Sequence, residues 1–304
     1  MFKILLFYKY VNIDDPRACM YEQRRLCEKF GLKGRIISAK EGINATLEGT
    51  EENTDAYLKI FLSDECFKDT HIKRSVGTGD AFPRLSIKVR NDLVSDAFGV
   101  ELDPTKETGK RLAPEKLNEW LEKKPGTFHI IDMRNDYEYR VGHFDGSILM
   151  DIKNFRDLPQ ALAQIAHLKN EPVVPVCTGG VRCEKASTLL IKEGFKDVYQ
   201  LNGGIVSYME KYPGKDFRGS LYVFDNRKVM NFTDPDKHVM IGKCDICQKH
   251  SENYANCSLD TCHRHFICCE NCQNNQNGYS FCSQNCQERY FTENTVQAGI
   301  KSVV

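Results

Sequence analysis

The chain has 304 residues with 42 basic and 42 acidic side chains, so no overall basic excess marks it as a general polyanion binder. A hydrophobic fraction of 41% beside 28% charged residues is that of a folded globular protein and excludes a disordered one. No stretch approaches the roughly 18 apolar residues of a membrane helix, and Ile4–Tyr8 is too brief for a signal-peptide core. A cytoplasmic protein with no membrane partner is therefore expected. In that compartment clustered cysteines mean metal or redox chemistry more often than disulfides, and nine of the 14 cysteines crowd between residues 244 and 286.

The chain opens with the apolar and aromatic run Phe2 to Val11, which predicts a strand. Asp14, Asp15 and Pro16 then start a helix that runs to Lys29 and closes at Gly31. Arg35 to Ala39 and Ala45 to Leu47 read as a second strand with a turn at Glu41-Gly42. A helix from about Glu51 to Leu62 and a strand from Arg84 to Val89 follow. Two helices on one face of an antiparallel sheet accommodate this order, a ferredoxin-like or acylphosphatase-like domain over residues 1–98.

The polar stretch 99–112, with Pro104 and Gly109, reads as a linker. Beyond it come helix Pro114 to Lys124, strand Phe128 to Met133, strand Ser147 to Met150 and helix Leu158 to Leu168. Strand Val173 to Val176, helix Arg182 to Glu193, strand Val198 to Leu201 and a helix from Gly204 complete the set. Such alternation predicts a parallel, doubly wound sheet, whose ligands sit outside the carboxyl ends of the strands. Strand Val173 to Val176 ends at Cys177.

The loop Cys177-Thr178-Gly179-Gly180-Val181-Arg182-Cys183 joins that strand to a helix. Paired glycines let successive amide hydrogens turn inward at a helix amino terminus, and Arg182 adds positive charge. Both favour a thiolate at Cys177. Arg182 either holds an anionic group at the loop rim or pairs with a carboxylate, and the first is expected. Cys183 is open between a resolving thiol and a packing residue. Asp132 and Arg134, at the end of an earlier strand, are expected to form a fixed ion pair that shapes the pocket.

The cysteine loop, Asp132-Met133-Arg134, Glu138, Gly142-His143-Phe144-Asp145-Gly146 and Leu201-Asn202-Gly203-Gly204-Ile205 together resemble the motifs of rhodanese domains. The catalytic domain is accordingly placed at 113–230. Three further segments narrow the resemblance: Ala39 to Thr46, Cys177 to Ser187, and Gly219 to Arg227 ahead of the cysteine-rich tail. In this order they resemble the bacterial tRNA uridine(34) hydroxylases. The resemblance implies conversion of wobble uridine to 5-hydroxyuridine, with Cys177 catalytic, molecular oxygen as co-substrate and the tRNA anticodon loop as partner. It also implies a platform for RNA on the first domain, where Lys40, Arg74, Arg84, Lys88 and Arg90, with Phe82 nearby, are the candidates. Residues 1–100 hold 16 basic and 15 acidic side chains, so that patch would be local.

Two departures stand out. Ser147 follows the Gly-His-x-x-Gly element where alanine is common, and Pro175 lacks the amide hydrogen that a central strand uses. No flavin, haem or non-haem iron motif is evident, so an electron donor, or a sulfur donor for the alternative below, is left to be supplied. Nothing specifies an oligomeric state.

The tail, 231–304, carries two-residue Cys-x-x-Cys gaps that suit tetrahedral zinc. Cys244 and Cys247 with Cys269 and Cys272 make one structural site, and Cys257, Cys262, Cys282 and Cys286 a second. Cys268 is left over, and His250, His263 and His265 are further candidate ligands. Two alternatives to hydroxylation stay open: a sulfurtransferase working through a Cys177 persulfide, and a non-enzymatic scaffold.

Overall fold

The computed structural model describes residues 1–95, 98–123, 126–274 and 278–301. Its first domain holds strands β1 (Phe2–Tyr10), β2 (Lys33–Ala39), β3 (Gly42–Thr50), β4 (Lys73–Val76) and β5 (Leu85–Val89), with helices α1 (Pro16–Lys29) and α2 (Glu51–Phe61). The Asp15 carboxylate accepts from the amides of Arg17 and Ala18, and Pro16 occupies the first helical position, which together start α1.

The sheet order is β4-β1-β3-β2-β5. Its first four strands pair antiparallel, as the ferredoxin-like order requires. Two features depart from expectation: β2 and β3 are separate strands of a hairpin, and β5 joins the edge parallel to β2. Strand β4, in a polar stretch without clear alternation, escaped the sequence reading. The two faces of the sheet have different jobs because successive side chains alternate. Leu5, Phe7, Ile36, Ile43 and Leu47 pack with Leu26, Tyr57 and Phe61 beneath the helices. Leu6, Tyr8, Arg35, Ile37, Asn44 and Thr46 face the second domain.

That domain is built from β6 (Lys110–Leu112), α3 (Pro114–Lys123), β7 (His129–Asp132), α4 (Asp136–Tyr139), β8 (Gly142–Phe144) and β9 (Ile148–Leu149). It continues through α5 (Leu158–Ala161), β10 (Pro172–Val176), α6 (Val181–Lys192), β11 (Asp197–Leu201) and α7 (Gly204–Lys211). Lys124, expected to end α3, lies outside the described residues. The sheet β6-β11-β10-β7-β9 is parallel throughout. Val173 and Ile131 face one core with Leu189 of α6, while Val174 and Ile130 face another with Leu117 of α3 and Ile205 of α7. The sheet is thus covered on both sides, as expected.

Within the 99–112 segment, Lys110–Leu112 pairs with β11 as an edge strand, and Phe98, just ahead of it, packs on Phe155 at 5.2 Å. Of the expected helix Leu158 to Leu168, only Leu158–Ala161 is α-helical, and Leu162–Leu168 winds as a 3-10 helix. Leu162, Ile165 and Leu168 recur every third residue against one core, a spacing the tighter helix keeps in line. Pro175 is accommodated because β10 pairs with β11 only at Pro172 and Val173, while its ladder to β7 continues to Val176.

Short strands β12 (Phe217–Gly219), β13 (Leu221–Tyr222) and β14 (Val229–Met230) lead to the tail, which holds β15 (Tyr254–Asn256), β16 (His265–Ile267), α8 (Glu270–Asn274) and α9 (Gln284–Lys301). Its small core is largely sulfur: Cys257 and Cys268 beside Leu259, Phe266 and Phe281. No helix among the described residues is long and apolar enough to cross a membrane.

Candidate active site

Cys177 follows β10 directly and is fully buried. The amides of Ile205 and Val206, in the first turn of α7, donate to the carbonyls of Cys177 and Thr178 at 3.0 and 3.1 Å. With those carbonyls tied off, the loop amides turn the other way, and Gly180 N lies 3.2 Å from Cys177 Sγ. Two glycines make this possible. Gly180 has φ +100°, and a Cβ on Gly204 would stand 2.6 Å from Gly180 N. The loop therefore closes over the sulfur only where neither position carries a side chain.

Burial pushes the Cys177 thiol up, yet the Cys183 thiol hydrogen bond, the Arg182 charge and the amides of Cys183 and Gly180 outweigh it and bring it down to about 6. Cys183, equally buried, goes the other way: burial and the neighbouring Cys177 hold it protonated. It stands as a neutral donor to a thiolate.

Arg182 does not reach free into the pocket. Its guanidinium makes a two-pronged pair with Glu138, at 2.6 and 2.8 Å, with Thr178 Oγ1 at 3.4 Å from the same carboxylate. The carboxylate-paired alternative is the one realised. Asp132 and Arg134 form the expected buried pair at 2.7 and 2.9 Å, and Arg134 also donates to the Gly142 carbonyl at 2.7 Å. This ties the end of β7 to β8.

The first domain roofs the loop. Leu6 and Tyr8 lie over Gly179 and Gly180, and the Tyr10 hydroxyl donates to the Val181 carbonyl at 3.3 Å. Tyr8 donates to Glu184 of α6, whose carboxylate also pairs with Arg111 at 2.7 Å. Lys73 of β4 is buried with its ammonium over the Tyr8 ring at 5.4 Å. Burial depresses it to about 8, opposed most by the charge of Cys177. Between the domains lies a cavity of about 530 Å³ lined by Cys177, Thr178, Gly179, Val181, Arg182 and Phe224, and by the second face of the sheet.

Residues 2–93 match the UPF0176 acylphosphatase like domain family, 113–211 the rhodanese-like domain family and 218–287 the rhodanase C-terminal family. The tRNA uridine(34) hydroxylase of Cytophaga hutchinsonii is 39% identical over 269 residues, 88% of this chain and 85% of that protein. Those of Aster yellows witches'-broom phytoplasma and Bacillus licheniformis are 43% and 40% identical, each over 88% of this chain and 87% and 84% of their own. The chain belongs to the tRNA uridine(34) hydroxylase family.

In this hydroxylase-family chain the five cations expected on the first domain are not brought together. Arg74 sits on β4 and pairs with Asp55, while Lys88 lies on β5 with Arg84 and Arg90 flanking that strand, at the opposite edge of the sheet. Four strand spacings, about 19 Å, separate the edges. Lys40 occupies the β2–β3 turn. Phe82 is only 1% exposed and packs on Ile4 and Ala81, so it offers no face to a base. Sequence reasoning missed Tyr8, Lys73 and Glu184, and with them Arg35, Arg156 and Phe224 on the cavity wall. The period-two alternation of β1 and β2 was the available signal for Tyr8 and Arg35, and the family segments 177–187 and 219–227 were the signal for Glu184 and Phe224; nothing local marks Lys73 or Arg156.

The tail cysteines form two groups, Cys244, Cys247, Cys269 and Cys272, and Cys257, Cys262, Cys282 and Cys286, each with its sulfurs within 4.8 Å of one another. Each group can hold a metal ion. Neither includes Cys268, His250, His263 or His265 among the described residues. His265 instead stacks on Tyr254 at 4.9 Å and bonds the Tyr222 hydroxyl at 3.1 Å, which seats the tail on the second domain.

Proposed function

We propose that the chain hydroxylates C5 of uridine 34 in tRNA, with Cys177 as the covalent catalyst and the first domain as the tRNA-facing platform. The observation that carries this reading is a thiol favouring its ionised form at a cavity of about 530 Å³, in a chain whose relatives are named for that reaction. A thiolate adding to C6 of uracil moves electron density to C5, the atom to be oxidised. Reaction at C5 replaces its hydrogen by hydroxyl, and expulsion of the thiolate restores the ring. With molecular oxygen as oxidant, the second oxygen atom leaves as water and takes two electrons and two protons from a donor.

Cys183 supports the thiolate as hydrogen-bond donor, and Arg182 supports it electrostatically while fixed by Glu138. Each tail group fits one structural Zn²⁺. Bonds of about 2.3 Å from a tetrahedral zinc put ligand sulfurs roughly 3.8 Å apart. The Cys247–Cys269, Cys262–Cys282 and Cys282–Cys286 pairs stand at 3.6 Å. A cytoplasmic site of action follows from the substrate.

The test is nucleoside mass spectrometry of tRNA from a deletion strain complemented with wild type or Cys177→Ala. Restoration of 5-hydroxyuridine or its alkoxy derivatives by wild type alone supports the reading; unchanged oxidised uridines in the deletion, where no parallel pathway makes them, sink it. The same depressed thiol suits a persulfide carrier, so thiosulfate-to-cyanide turnover dependent on Cys177 is the measurement that would favour sulfur transfer.

A further inference from the structure

We propose that the interdomain cavity takes a single nucleotide extruded from the RNA loop, its base stacked on Phe224 and its flanking phosphates held by Arg35 and Arg156. This rests on the tRNA reading above and adds the residues that recognise the substrate. Three observations carry it.

The first is Phe224 itself. It lines the cavity that Cys177 lines, yet it is 45% exposed, whereas phenylalanines 7, 61, 144 and 266 are fully buried. Its ring is held in place: Tyr222 meets it edge-on at 5.2 Å, and the Arg182 guanidinium lies 5.7 Å from its centroid. A fixed aromatic beside a buried nucleophile is the arrangement by which proteins capture an unstacked base, since every base has a π-face.

Charge is the second. The cavity lining contains three arginines and no carboxylate, in a chain whose formal net charge is zero. Arg182 is neutralised by Glu138, but Arg35 on β2 and Arg156 near α5 are exposed and make no ion pair among the described residues. They approach the cavity from opposite domains. Two cations without an ion pair among the described residues, on the wall of a cavity that also holds an exposed aromatic, match a base and its neighbouring phosphates.

Third is size. At about 530 Å³ the space lies in the range of pockets for small ligands, far too small for a duplex. An anticodon-loop nucleotide is single-stranded and cheap to extrude. A small sulfur-donor anion would use the arginines but leave the aromatic without a role.

Binding of the full chain to a fluorescent anticodon stem-loop, read by anisotropy, tests this without requiring turnover. Three ligands are compared: the loop with uridine 34, the same loop abasic at position 34, and uridine monophosphate as competitor. Phe224→Ala is expected to weaken the uridine loop about 5- to 150-fold, the range for one stacked base. Phe224→Trp retains binding. The abasic loop binds wild type weakly, and Phe224→Ala weakens it no further. Arg35→Gln and Arg156→Gln each lower the log–log salt dependence by about 0.7. An unchanged urea unfolding midpoint and far-ultraviolet circular dichroism confirm that the variants fold. Equal losses for uridine and abasic loops on Phe224→Ala would overturn the stacking role while leaving the hydroxylase reading intact. Phe224-dependent saturation by uridine monophosphate without stem-loop binding would assign the cavity to a free nucleotide and overturn the RNA source. Wild-type protein that binds no stem-loop and forms no 5-hydroxyuridine would remove the tRNA reading together with this one.

Discussion

The Tyr8 hydroxyl donates to Glu184 at 2.9 Å, joining the first strand of the chain to the helix that follows the cysteine loop. Glu184 is itself only 3% exposed and is paired with Arg111, so the Tyr8 bond is a charge-assisted contact across the interface. It fixes the sheet of one domain over the Cys177 loop of the other, with Tyr8 on the wall of the cavity.

Tyr8→Phe removes that donor and little else. The expected loss is about 1.5–3 kcal/mol of stability, read as a lower midpoint in urea unfolding. Loss within a few tenths of a kcal/mol would mean the hydroxyl contributes nothing to docking.

The Cys177 thiol, brought to about 6, sets a pH dependence. Iodoacetamide reactivity is expected to rise through about pH 6 instead of the ordinary thiol value near 8.5. Its folded pKa lies below its unfolded one, so the associated stability is complete above about pH 8.5 and is lost as pH falls through 6. Cys183→Ala removes the thiol donor and moves the midpoint up; Cys183→Ser keeps a donor and moves it less. A midpoint that stays put in Cys183→Ala would assign that residue to packing.

Lys73 contributes a cation from the other domain. Lys73→Met is expected to raise the Cys177 midpoint, and Lys73→Arg to restore it. The comparison is made on alkylation rates across pH 5 to 9.

Glu138→Gln separates structure from electrostatics. Removing the carboxylate leaves Arg182 buried without its counter-charge, at a cost of about 3–5 kcal/mol. It also leaves Arg182 acting undiminished on Cys177, so the thiol midpoint should fall further while the melting temperature falls. A rise in the midpoint would contradict the assigned geometry.

Metal content tests the tail. Two zinc ions per chain are expected, measured by colorimetric release under thiol-blocking reagent. Cys247→Ala and Cys262→Ala each lose one, and Cys268→Ala keeps both. Removal by a chelator should unfold the tail, whose small core is built mainly of cysteine.

What could be read from the sequence was whatever local chemistry enforces. The loop at Cys177 was legible from its own glycines and the strand before it, although Gly204 and the first turn of α7 complete its shape, and the cysteine groups were legible from their spacing. The Asp132–Arg134 pair was legible because two residues at one strand end can hardly avoid each other. Strand β4 and the parallel placement of β5 were not, because short polar strands take their pairing from neighbours distant in sequence.

The candidate site divides along the same line. Sequence alone singled out Cys177 and its glycine loop and determined the identity of the family. Only the tertiary structure decided that Arg182 is spent on Glu138, that Phe82 is buried, and that the expected cations lie on opposite edges of a sheet. It alone brought Arg35, Arg156 and Phe224 to the cavity and set Lys73 over the Tyr8 ring. The physical reason is that alternation along a strand fixes which residues share a face, but not what that face is packed against; docking one domain on the other supplies that, and the cavity exists only between them.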